Sequence, residues 1–366
     1  MKQSLFILII IVLFSCNNEN KTLLSVDVTH DIVIPKHYIV TKTQETLTMD
    51  GIANESSWKS ALFTDNFMDI EGVKTPKFDT KIKMLWDDNY LYVYSEMQEP
   101  HIWGNLKQRD TIIFYNNDFE VFIDPSGEGK SYVEIEINAL NTVWDLFLDK
   151  PYRVGGKANS EWNLNNLKSA IHIKGSLNNP KDIDLFWTVE MAIPLKPLVE
   201  LEDSLQTFPE EGEQWRINFS RVEWDYEIIN GKYQRKKENN KFLKEYNWVW
   251  SNQKVINMHE PEKWGFLQFT KAVSSEGIVF AQDKDLHIKQ TAFALFRKTR
   301  YSNLKYLLEN DTGFSRDIEV TYLEEKPLKM TFYKTHMGFK YKIESPISKK
   351  VYIINEEGIL KVKTTN

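Results

Sequence analysis

The sequence predicts an all-β protein, an antiparallel β-sandwich followed by a small C-terminal α+β appendage. From residue 38 to residue 270, short alternating segments of apolar and polar residues recur between turn signals, and long helical periodicity is absent. An aromatic content of 13% also suits pleated strands. With 42% hydrophobic and 27% charged residues, the 366-residue chain has a globular composition, sufficient for one large or two ordinary domains.

The N-terminus resembles that of a bacterial lipoprotein. The apolar run from Leu5 to Phe14 is too short to span a bilayer and is typical of a signal peptide. It ends in Leu-Phe-Ser-Cys, a lipobox-like motif, and Cys16 is the only cysteine. We therefore expect a signal peptide over residues 1–15, lipid attachment at Cys16 and a tether over residues 16–37. The anchor would hold the protein in the cell envelope, at the outer membrane of a Gram-negative bacterium. An ordinary secretory signal with a chance cysteine is the alternative.

Within the sandwich region, predicted strands come in pairs around turns. Residues 81–97 form two strands around Asp87-Asp88-Asn89, and residues 118–138 form a hairpin around the turn PSGEGK. Further strands are predicted over residues 142–149, 184–194 and 214–224. Pro194 ends one of them, because proline cannot donate to a sheet ladder.

The appendage, residues 271–366, combines a helix with strands. Apolar residues at helical spacing predict a helix over residues 286–308. Four or five strands follow, the last two as a hairpin around residues 355–358.

The hairpin over residues 118–138 carries a row of carboxylates. Because side chains alternate faces along a strand, the acidic residues of each strand share one side. They are Asp118, Glu120 and Asp124 on the first strand, and Glu134 and Glu136, with Tyr132 and Asn138, on the second. Three interpretations are open: Glu120 and Glu136 as the acid pair of a glycosidase, a solvated surface, or a polar face that accepts hydrogen bonds from sugar hydroxyls.

Aromatic residues in or near loop-like stretches are candidates for stacking on sugar rings. They include Trp103, Tyr115, Trp162, Trp224, Trp248 and Trp250. For each tryptophan, packing in the core is an equal alternative. Arg221 lies in the same strand as Glu223 and shares its face.

Other chemistries have little support in the sequence. No cofactor is certain, although Asp118, Asp124 and Glu128 could hold calcium together with backbone carbonyls. Seven scattered histidines and one cysteine do not predict a zinc site. A net charge of -6 gives no basic footprint for nucleic acid. Phosphate-binding loops, dinucleotide fingerprints and nucleophile elbows are absent from the sequence.

Seven segments, taken in order, resemble carbohydrate-binding family 9-like proteins, most of all the lipoprotein members found in Bacteroidetes. The segments are DGIANESSWKSA, LWDDNYLYVYSEMQEP, NDFEVFIDP, YVEIEINALNTVWDL, WTVEMAIPLKPL, WRINFSRVEW and WVWSNQ…PEKWGFLQF. The resemblance covers residues 45–270. It implies a β-sandwich without catalytic machinery, in which two aromatic side chains hold the end of a glycan with structural calcium close by.

The family's site residues match this chain unevenly. The acidic residue of the family's first hairpin strand falls on Glu120 and is retained. The preceding tryptophan falls at Phe114 or Tyr115, the second falls near Met258, and an expected arginine falls on Glu136. The resemblance therefore implies that the scaffold is kept and that much of the clamp on the glycan end is replaced.

We expect non-catalytic carbohydrate binding by a lipid-anchored envelope protein that supports polysaccharide capture or use. Its partners would be a glycan and, through the anchor, a membrane, with no nucleic acid. The candidate carbohydrate-binding residues are Trp103, Tyr115, Glu120, Glu136, Asn138, Arg221, Trp224 and Trp250, and no residue is assigned a catalytic role. One alternative is a structural or protein-interaction lipoprotein that kept the sandwich and lost sugar binding. A less favoured alternative is a glycoside-active enzyme using Glu120 and Glu136.

Overall fold

A computed structural model describes residues 23–202 and 208–363. The strands in these residues are β1 (Leu24–Asp27), β2 (His37–Lys42), β3 (Met68–Asp69), β4 (Thr80–Trp86), β5 (Tyr90–Gln98), β6 (Asp118–Asp124), β7 (Tyr132–Asn138), β8 (Val143–Leu148), β9 (Ala158–Asn159), β10 (Lys168–Lys174), β11 (Phe186–Pro194), β12 (Gln214–Glu223), β13 (Tyr226–Ile229), β14 (Lys232–Arg235), β15 (Lys237–Glu238), β16 (Lys241–Phe242), β17 (Tyr246–Val249), β18 (Gly265–Thr270), β19 (Ser315–Thr321), β20 (Leu328–Lys334), β21 (Phe339–Glu344), β22 (Val351–Asn355) and β23 (Leu360–Lys363). The α-helices are α1 (Ser56–Ser60), α2 (Leu195–Val199) and α3 (Leu286–Tyr301). Short 3₁₀ turns cover Thr29–Asp31, Ile113–Tyr115, Tyr152–Val154, Glu200–Glu202, Pro261–Lys263 and Lys305–Glu309.

Thirteen strands form one curled sheet whose two halves pack face to face. The strand order is β10-β11-β5-β4-β2-β18-β12-β6-β7-β8-β9, with β17 beside β12 and β3 beside β17. Apolar side chains from both halves meet in one core, such as Met84 and Met191 from one half and Val121 and Phe219 from the other. This arrangement confirms the predicted all-β sandwich. It is antiparallel except at β2, which pairs in parallel with both β4 and β18.

The two predicted hairpins of the sandwich form at the expected turns. Asp87 Oδ1 accepts hydrogen bonds from the backbone N–H groups of Asn89 and Tyr90, which fixes the turn between β4 and β5. Asp124 does the same in the turn between β6 and β7, where the N–H groups of Gly127 and Gly129 donate to its two carboxylate oxygens. Both aspartates are therefore structural turn residues.

The C-terminal unit is a six-stranded sheet covered by α3, and it includes a strand from the N-terminal region. Its order is β1-β19-β20-β21-β22-β23, with β1 parallel to β19. Val26, Val28 and Ile32 are buried in its core, between α3 and the sheet. The expected tether is therefore wrong from Leu24 onward, because these apolar side chains fill that core. The signal peptide, Cys16 and the first tether residues lie outside the described residues.

Buried ion pairs join the C-terminal unit to the sandwich. Glu262, just before β18, binds Arg153 through one carboxylate oxygen (2.8 Å) and Arg297 of α3 through the other (2.6 Å). Lys254 Nζ also donates to the backbone oxygen of Ile32 (2.8 Å).

Within the described ranges, no helix combines the length and apolar character needed to cross a membrane.

Candidate functional site

The outer face of the β6–β7 hairpin is acidic and buried. Glu120 lies directly opposite Glu136, and Phe122 lies opposite Glu134. Phe119, Val121 and Ile123 alternate with these residues and face the sandwich core. The acidic row predicted from period-two alternation is thus present, but other side chains cover it, because Asp118, Glu120, Glu134 and Glu136 are all at most 5% exposed.

Glu120, Glu134 and Glu136 line a pocket of about 330 Å³, called the acidic pocket below, and Asp118 lies next to them outside its lining. Its lining includes Phe114, Glu120, Phe122, Glu134, Glu136, Trp144, Leu146, Tyr152, Glu245, Met258 and His259. The 3₁₀ turn Ile113–Tyr115 forms one wall, and the segment before β18 that carries Met258 forms another. The pocket therefore combines a carboxylate floor with aromatic and apolar walls.

Burial controls the protonation of the carboxylate floor. It raises the pKa of Glu120 to about 7. Burial, followed by repulsion from the neighbouring carboxylates, raises the pKa values of Asp118, Glu134 and Glu136 well above their ordinary values. The floor therefore strongly favours protons, or another source of positive charge, over four bare carboxylates.

Few protein groups neutralise or hydrogen bond this floor. The Phe114 backbone N–H donates to Glu136 Oε2 (2.9 Å). His259 Nε2 lies 3.8 Å from Glu134 Oε2, but burial and then the charge of Arg153 lower the pKa of His259 to about 4. The histidine is therefore neutral at neutral pH and supplies no charge.

Some polar atoms at the floor have no hydrogen-bond partner among the described residues. These atoms include both carboxylate oxygens of Asp118 and Ser220 Oγ. Ser220 lies in β12 directly opposite Glu120. Asp118, Glu120 and Glu136 each offer one oxygen within 4.8 Å of the others, a spacing suited to a metal ion. The arrangement can thus accept hydrogen bonds from a ligand or coordinate a cation.

A second pocket lies on the other side of the turn Ile113–Tyr115. It has a volume of about 880 Å³, is called the aromatic pocket below, and is lined among others by Trp103, Tyr115, Tyr233, Arg235 and Phe242. The Arg235 guanidinium lies 4.3 Å from the Tyr115 ring centroid and 4.0 Å from that of Phe242. Such contacts hold the guanidinium by cation–π attraction.

The structure distributes half of the candidate residues between these two pockets. Glu120 and Glu136 line the acidic pocket, whereas Trp103 and Tyr115 line the aromatic pocket. Trp103 is 2% exposed and stacks on Tyr233, while Tyr115 is 40% exposed. The candidates therefore do not converge on one site.

Asn138 and Arg221 are occupied elsewhere, contrary to expectation. Asn138 is fully buried, donates to the backbone oxygen of Leu106 (2.9 Å), and accepts from the backbone N–H groups of Leu140 and Thr142. Arg221 points into the sandwich, because its neighbours at alternate positions in β12 are core residues. Its Nη2 binds Glu99 Oε2 at 2.8 Å. Neither side chain faces the acidic pocket.

Trp224 and Trp250 are also structural. Trp224 is 6% exposed, and its Nε1 donates to the backbone oxygen of Phe114 (2.7 Å), so it supports the turn between the two pockets. Trp250 lies in the main core. Its ring packs so closely on Gly265 that a Cβ there would lie 2.3 Å from it. Both tryptophans shape the scaffold rather than offer a free ring.

Asp118, Asp124 and Glu128, which the sequence offered as possible calcium ligands, do not come together in the structure. Asp124 is used by the turn, and Glu128 is exposed beside Lys130. The group that does assemble joins Asp118 to Glu120 and Glu136 across two strands. Cross-strand register, which the sequence alone does not give, decides this difference.

The candidate set omitted several residues of the acidic pocket. The sequence could have indicated Glu134, because strand alternation places it on the same face as Glu136. Strand pairing places Trp144 opposite Glu136, so it could have been inferred from the same hairpin. The resemblance gave Phe114 or Tyr115 as one position and the vicinity of Met258 as another, and in the structure Phe114 and Met258 line this pocket. His259 also lines the pocket, and no pattern in the sequence indicated it.

Comparisons with known proteins identify the fold family. A family model described as carbohydrate family 9 binding domain-like matches residues 49–272. Among curated proteins, none matches the chain significantly.

Solved structures with similar folds include two of a carbohydrate-binding module family 9 from Caldicellulosiruptor kristjanssonii. The complex with cellotriose has 15% identity and a TM-score of 0.42 and covers 68% of this chain and 100% of the module. The complex with glucose has 16% identity and a TM-score of 0.42 and covers 64% and 96%. A protein from Bacteroides uniformis, for which carbohydrate binding is proposed, has 16% identity and a TM-score of 0.47 and covers 64% and 99%.

The family match covers more than half of the chain and includes every strand that forms the acidic pocket. The chain therefore belongs to the carbohydrate family 9 binding domain-like family.

Proposed function

We propose that this protein is a non-catalytic carbohydrate-binding lipoprotein of the cell envelope, which captures glycan for polysaccharide use. The observation that carries the proposal is the acidic pocket, built by strands of a carbohydrate family 9 binding domain-like region. The lipid anchor rests on the lipobox-like motif at Cys16. The outer membrane of a Gram-negative bacterium is the proposed location, by analogy with the Bacteroidetes lipoproteins that the sequence resembles.

The chemistry of the acidic pocket suits a sugar. Carboxyl groups accept hydrogen bonds from hydroxyls, and a protonated carboxyl also donates one. Phe114, Trp144 and Met258 supply aromatic and apolar surface beside them, on which the C–H face of a sugar ring can pack. A pocket of about 330 Å³ accommodates one or two sugar units at the end of a chain.

The protonation pattern supports binding rather than hydrolysis. A glycosidase keeps one carboxyl protonated as the acid and another ionised as the nucleophile or base. Here burial raises the pKa values of Asp118, Glu120, Glu134 and Glu136 together. Among the described residues, no cation is a leading influence on the pKa of any of the four, whereas a glycosidase nucleophile or base must be held ionised.

A panel of oligosaccharides tests the proposal. Calorimetric titration would use gluco-, manno-, xylo- and galacturono-oligosaccharides, each with its polysaccharide in affinity electrophoresis. We expect one glycan class to bind and to remain intact, without release of reducing sugar. If a folded protein binds no glycan in the panel, the proposal is overturned in favour of a structural envelope lipoprotein. Release of reducing sugar that is lost in Glu120→Gln would overturn it in favour of an enzyme.

A further inference from the structure

We propose that the aromatic pocket binds a sugar unit that carries a tetrahedral oxyanion ester, a sulfate or a phosphate, and that the Arg235 guanidinium holds the ester. Arg235 belongs to the arm β13–β16, residues 226–242, whose strands form two small sheets of their own. The arm lies between WRINFSRVEW and WVWSNQ, two of the segments that resemble the family. The site is therefore separate from the acidic pocket and does not follow from the family resemblance.

Arg235 is a half-buried cation that aromatic rings hold in place. Its guanidinium lies 4.3 Å from the ring centroid of Tyr115, 4.6 Å from that of Trp224 and 4.0 Å from that of Phe242. Cation–π contacts fix a guanidinium but give its five N–H donors no oxygen acceptor. Among the described residues, Arg235 has no hydrogen-bond acceptor and no ion pair. A guanidinium that is positioned in this way is ready to bind an oxyanion.

The other charged groups of the aromatic pocket are also positive. Lys107 and Lys232 line it, both are exposed, and neither forms an ion pair with the described residues. None of the described residues that line this pocket is acidic. Glu245, whose charge acts on Arg235, lines the acidic pocket instead. On a chain with a net charge of -6, this local excess of positive charge selects an anionic ligand.

The number of cations favours a tetrahedral group over a carboxylate. A sulfate or phosphate ester presents three oxygens that point in different directions, whereas the two oxygens of a carboxylate lie in one plane. Lys107 approaches from a loop, and Lys232 and Arg235 approach from β14. A guanidinium binds two oxygens side by side, which leaves the third for an ammonium group.

The rest of the aromatic pocket suits a sugar ring. A volume of about 880 Å³ is far larger than a single oxyanion needs. Tyr115 and Phe242 are 40% and 47% exposed, so the C–H face of a sugar has aromatic surface to pack on. Gln234 is exposed in the lining and offers its amide to hydroxyls. Trp103 also lines the pocket, and its buried Nε1 has no hydrogen-bond partner among the described residues, which leaves a donor for a ligand or a bridging water.

The loop that carries Lys107 is fixed by hydrogen bonds within the protein. Asn116 Oδ1 accepts from the backbone N–H groups of Asn105 (2.9 Å) and Leu106 (3.1 Å). Asn138 Nδ2 donates to the backbone oxygen of Leu106 (2.9 Å). Because this wall is already ordered, a ligand does not lose affinity by ordering it.

Four forms of one short polymer test the class of ligand: dextran, dextran sulfate, dextran phosphate and carboxymethyl dextran of matched length. Their substituents are distributed over the ring, so the position of the ester need not be known. Calorimetric titration is done in about 0.15 M sodium chloride, where charges more than about 8 Å apart are largely screened. We expect one or both esters to bind at least about tenfold tighter than dextran and carboxymethyl dextran. The tighter of the two identifies the ester as sulfate or phosphate.

Arg235→Gln and Lys236→Gln are a matched pair of variants. Each removes one positive charge at neighbouring positions, but Lys236 is exposed and does not line the pocket. Arg235→Gln should lower affinity for the tighter ester at least about tenfold, and Lys236→Gln should change it less than about twofold. If Arg235→Gln does not fold, Lys232→Gln takes its place at an exposed position of the pocket, with an expected loss of about threefold or more.

No binding of either ester by the folded wild-type protein overturns the proposal. Equal losses in Arg235→Gln and Lys236→Gln also overturn it, because they indicate attraction by overall charge. So does unchanged affinity in Lys232→Gln where that variant is used. Inorganic sulfate or phosphate that binds as tightly as the ester overturns the sugar contact, and carboxymethyl dextran that does so overturns the choice of a tetrahedral group.

The outcome is distinct from that of the function proposed for the acidic pocket. If no glycan of the panel binds but an ester binds through Arg235, the function of the acidic pocket is overturned and this site stands. If a panel glycan binds and neither ester binds more tightly than dextran, this site is overturned and the proposed function stands.

Discussion

Phe114 and Tyr115 are neighbours in one 3₁₀ turn, with ring centroids 5.0 Å apart, yet they line different pockets. Phe114 lies beside the carboxylates of the acidic pocket, and Tyr115 lies beside Arg235 in the aromatic pocket. The two pockets, each a candidate glycan site, are therefore lined by adjacent residues of one turn.

Substitution of Phe114 should weaken glycan binding. If the glycan occupies the acidic pocket, Phe114→Ala removes an aromatic wall and should lower affinity about tenfold, or about 1.4 kcal/mol. The hydrogen bond from its backbone N–H to Glu136 is retained, so the floor keeps its geometry. Calorimetric titration with the glycan found in the panel measures the change.

Tyr115→Ala is the matched control for this substitution. It removes a neighbouring aromatic side chain from the aromatic pocket, and we expect affinity to change less than about twofold. A loss confined to Tyr115→Ala would place the glycan in the aromatic pocket instead.

Substitution of Arg221 should lower the free energy of unfolding and leave glycan affinity unchanged. Its guanidinium is fully buried and binds Glu99 at 2.8 Å and Thr80 Oγ1 at 3.0 Å. Removing one partner of a buried pair leaves the other without compensation, so Arg221→Met should reduce the free energy of unfolding by about 3–5 kcal/mol. Urea denaturation measures this loss. At temperatures where the variant remains folded, its glycan affinity should match the wild type.

The double variant Glu99→Gln/Arg221→Met checks the cause of that loss. Because it removes both charges, it should recover part of the stability lost in Arg221→Met. A single variant of normal stability that has lost glycan binding would instead assign Arg221 to the site.

Local periodicity predicted the strands of the sandwich and the faces of its hairpin, because side chains of a strand alternate regardless of the rest of the fold. It did not predict which face is inside. Arg221 is charged but lies on the inner face of β12, where it binds Glu99, the residue that follows β5. Trp103 and Trp250 lie near loops and are nevertheless buried. Those outcomes depend on how the two halves of the sheet pack together. The alternation of residue types along a single strand carries no information about that packing.

Contacts between distant segments were the other limit of sequence reasoning. Val26 lies beside Val320 in a parallel pair, so a stretch expected to be a tether became a strand. The acidic pocket shows the same limit, since the group formed by Asp118, Glu120 and Glu136 depends on the register of β6 with β7. The resemblance to a family indicated Glu120, Phe114 or Tyr115, and the vicinity of Met258, because it relates segments that are distant in the sequence, which local residue patterns do not.

Substitution of Cys16 should release the protein from the membrane. If Cys16 is acylated, its lipid chains contribute about 0.8 kcal/mol for each buried CH₂ group, enough for stable anchoring when more than one chain is present. Cys16→Ala should move the protein from the membrane fraction to the aqueous fraction of the envelope and abolish incorporation of labelled fatty acid. An unlabelled wild-type protein in the aqueous fraction would show that the motif is an ordinary secretory signal.

The ion pairs at Glu262 should make the docking of the C-terminal unit sensitive to acid. Burial alone would raise the pKa of Glu262, but the guanidinium groups of Arg153 and Arg297 lower it to about 2, from an ordinary value of 4.5. The other charged groups that face it are Glu260, Lys263 and Arg216. Because the folded state holds the proton less tightly than the unfolded state, this stabilisation is present above pH 4.5 and is lost as the pH falls toward 2.

Comparison of the wild type with Glu262→Gln separates the contribution of Glu262 to the pH dependence of stability from the contributions of other carboxyl groups. At neutral pH the variant should be less stable than the wild type by at most about 3 kcal/mol, and the difference should shrink between pH 4.5 and 2. Urea denaturation across that range measures it. Glu357→Gln is the control, since Glu357 pairs with Lys150 across the same junction but is exposed, and exposed pairs contribute little. A difference between the wild type and Glu262→Gln that stays constant down to pH 2 would show that Glu262 acts through packing rather than through its charge.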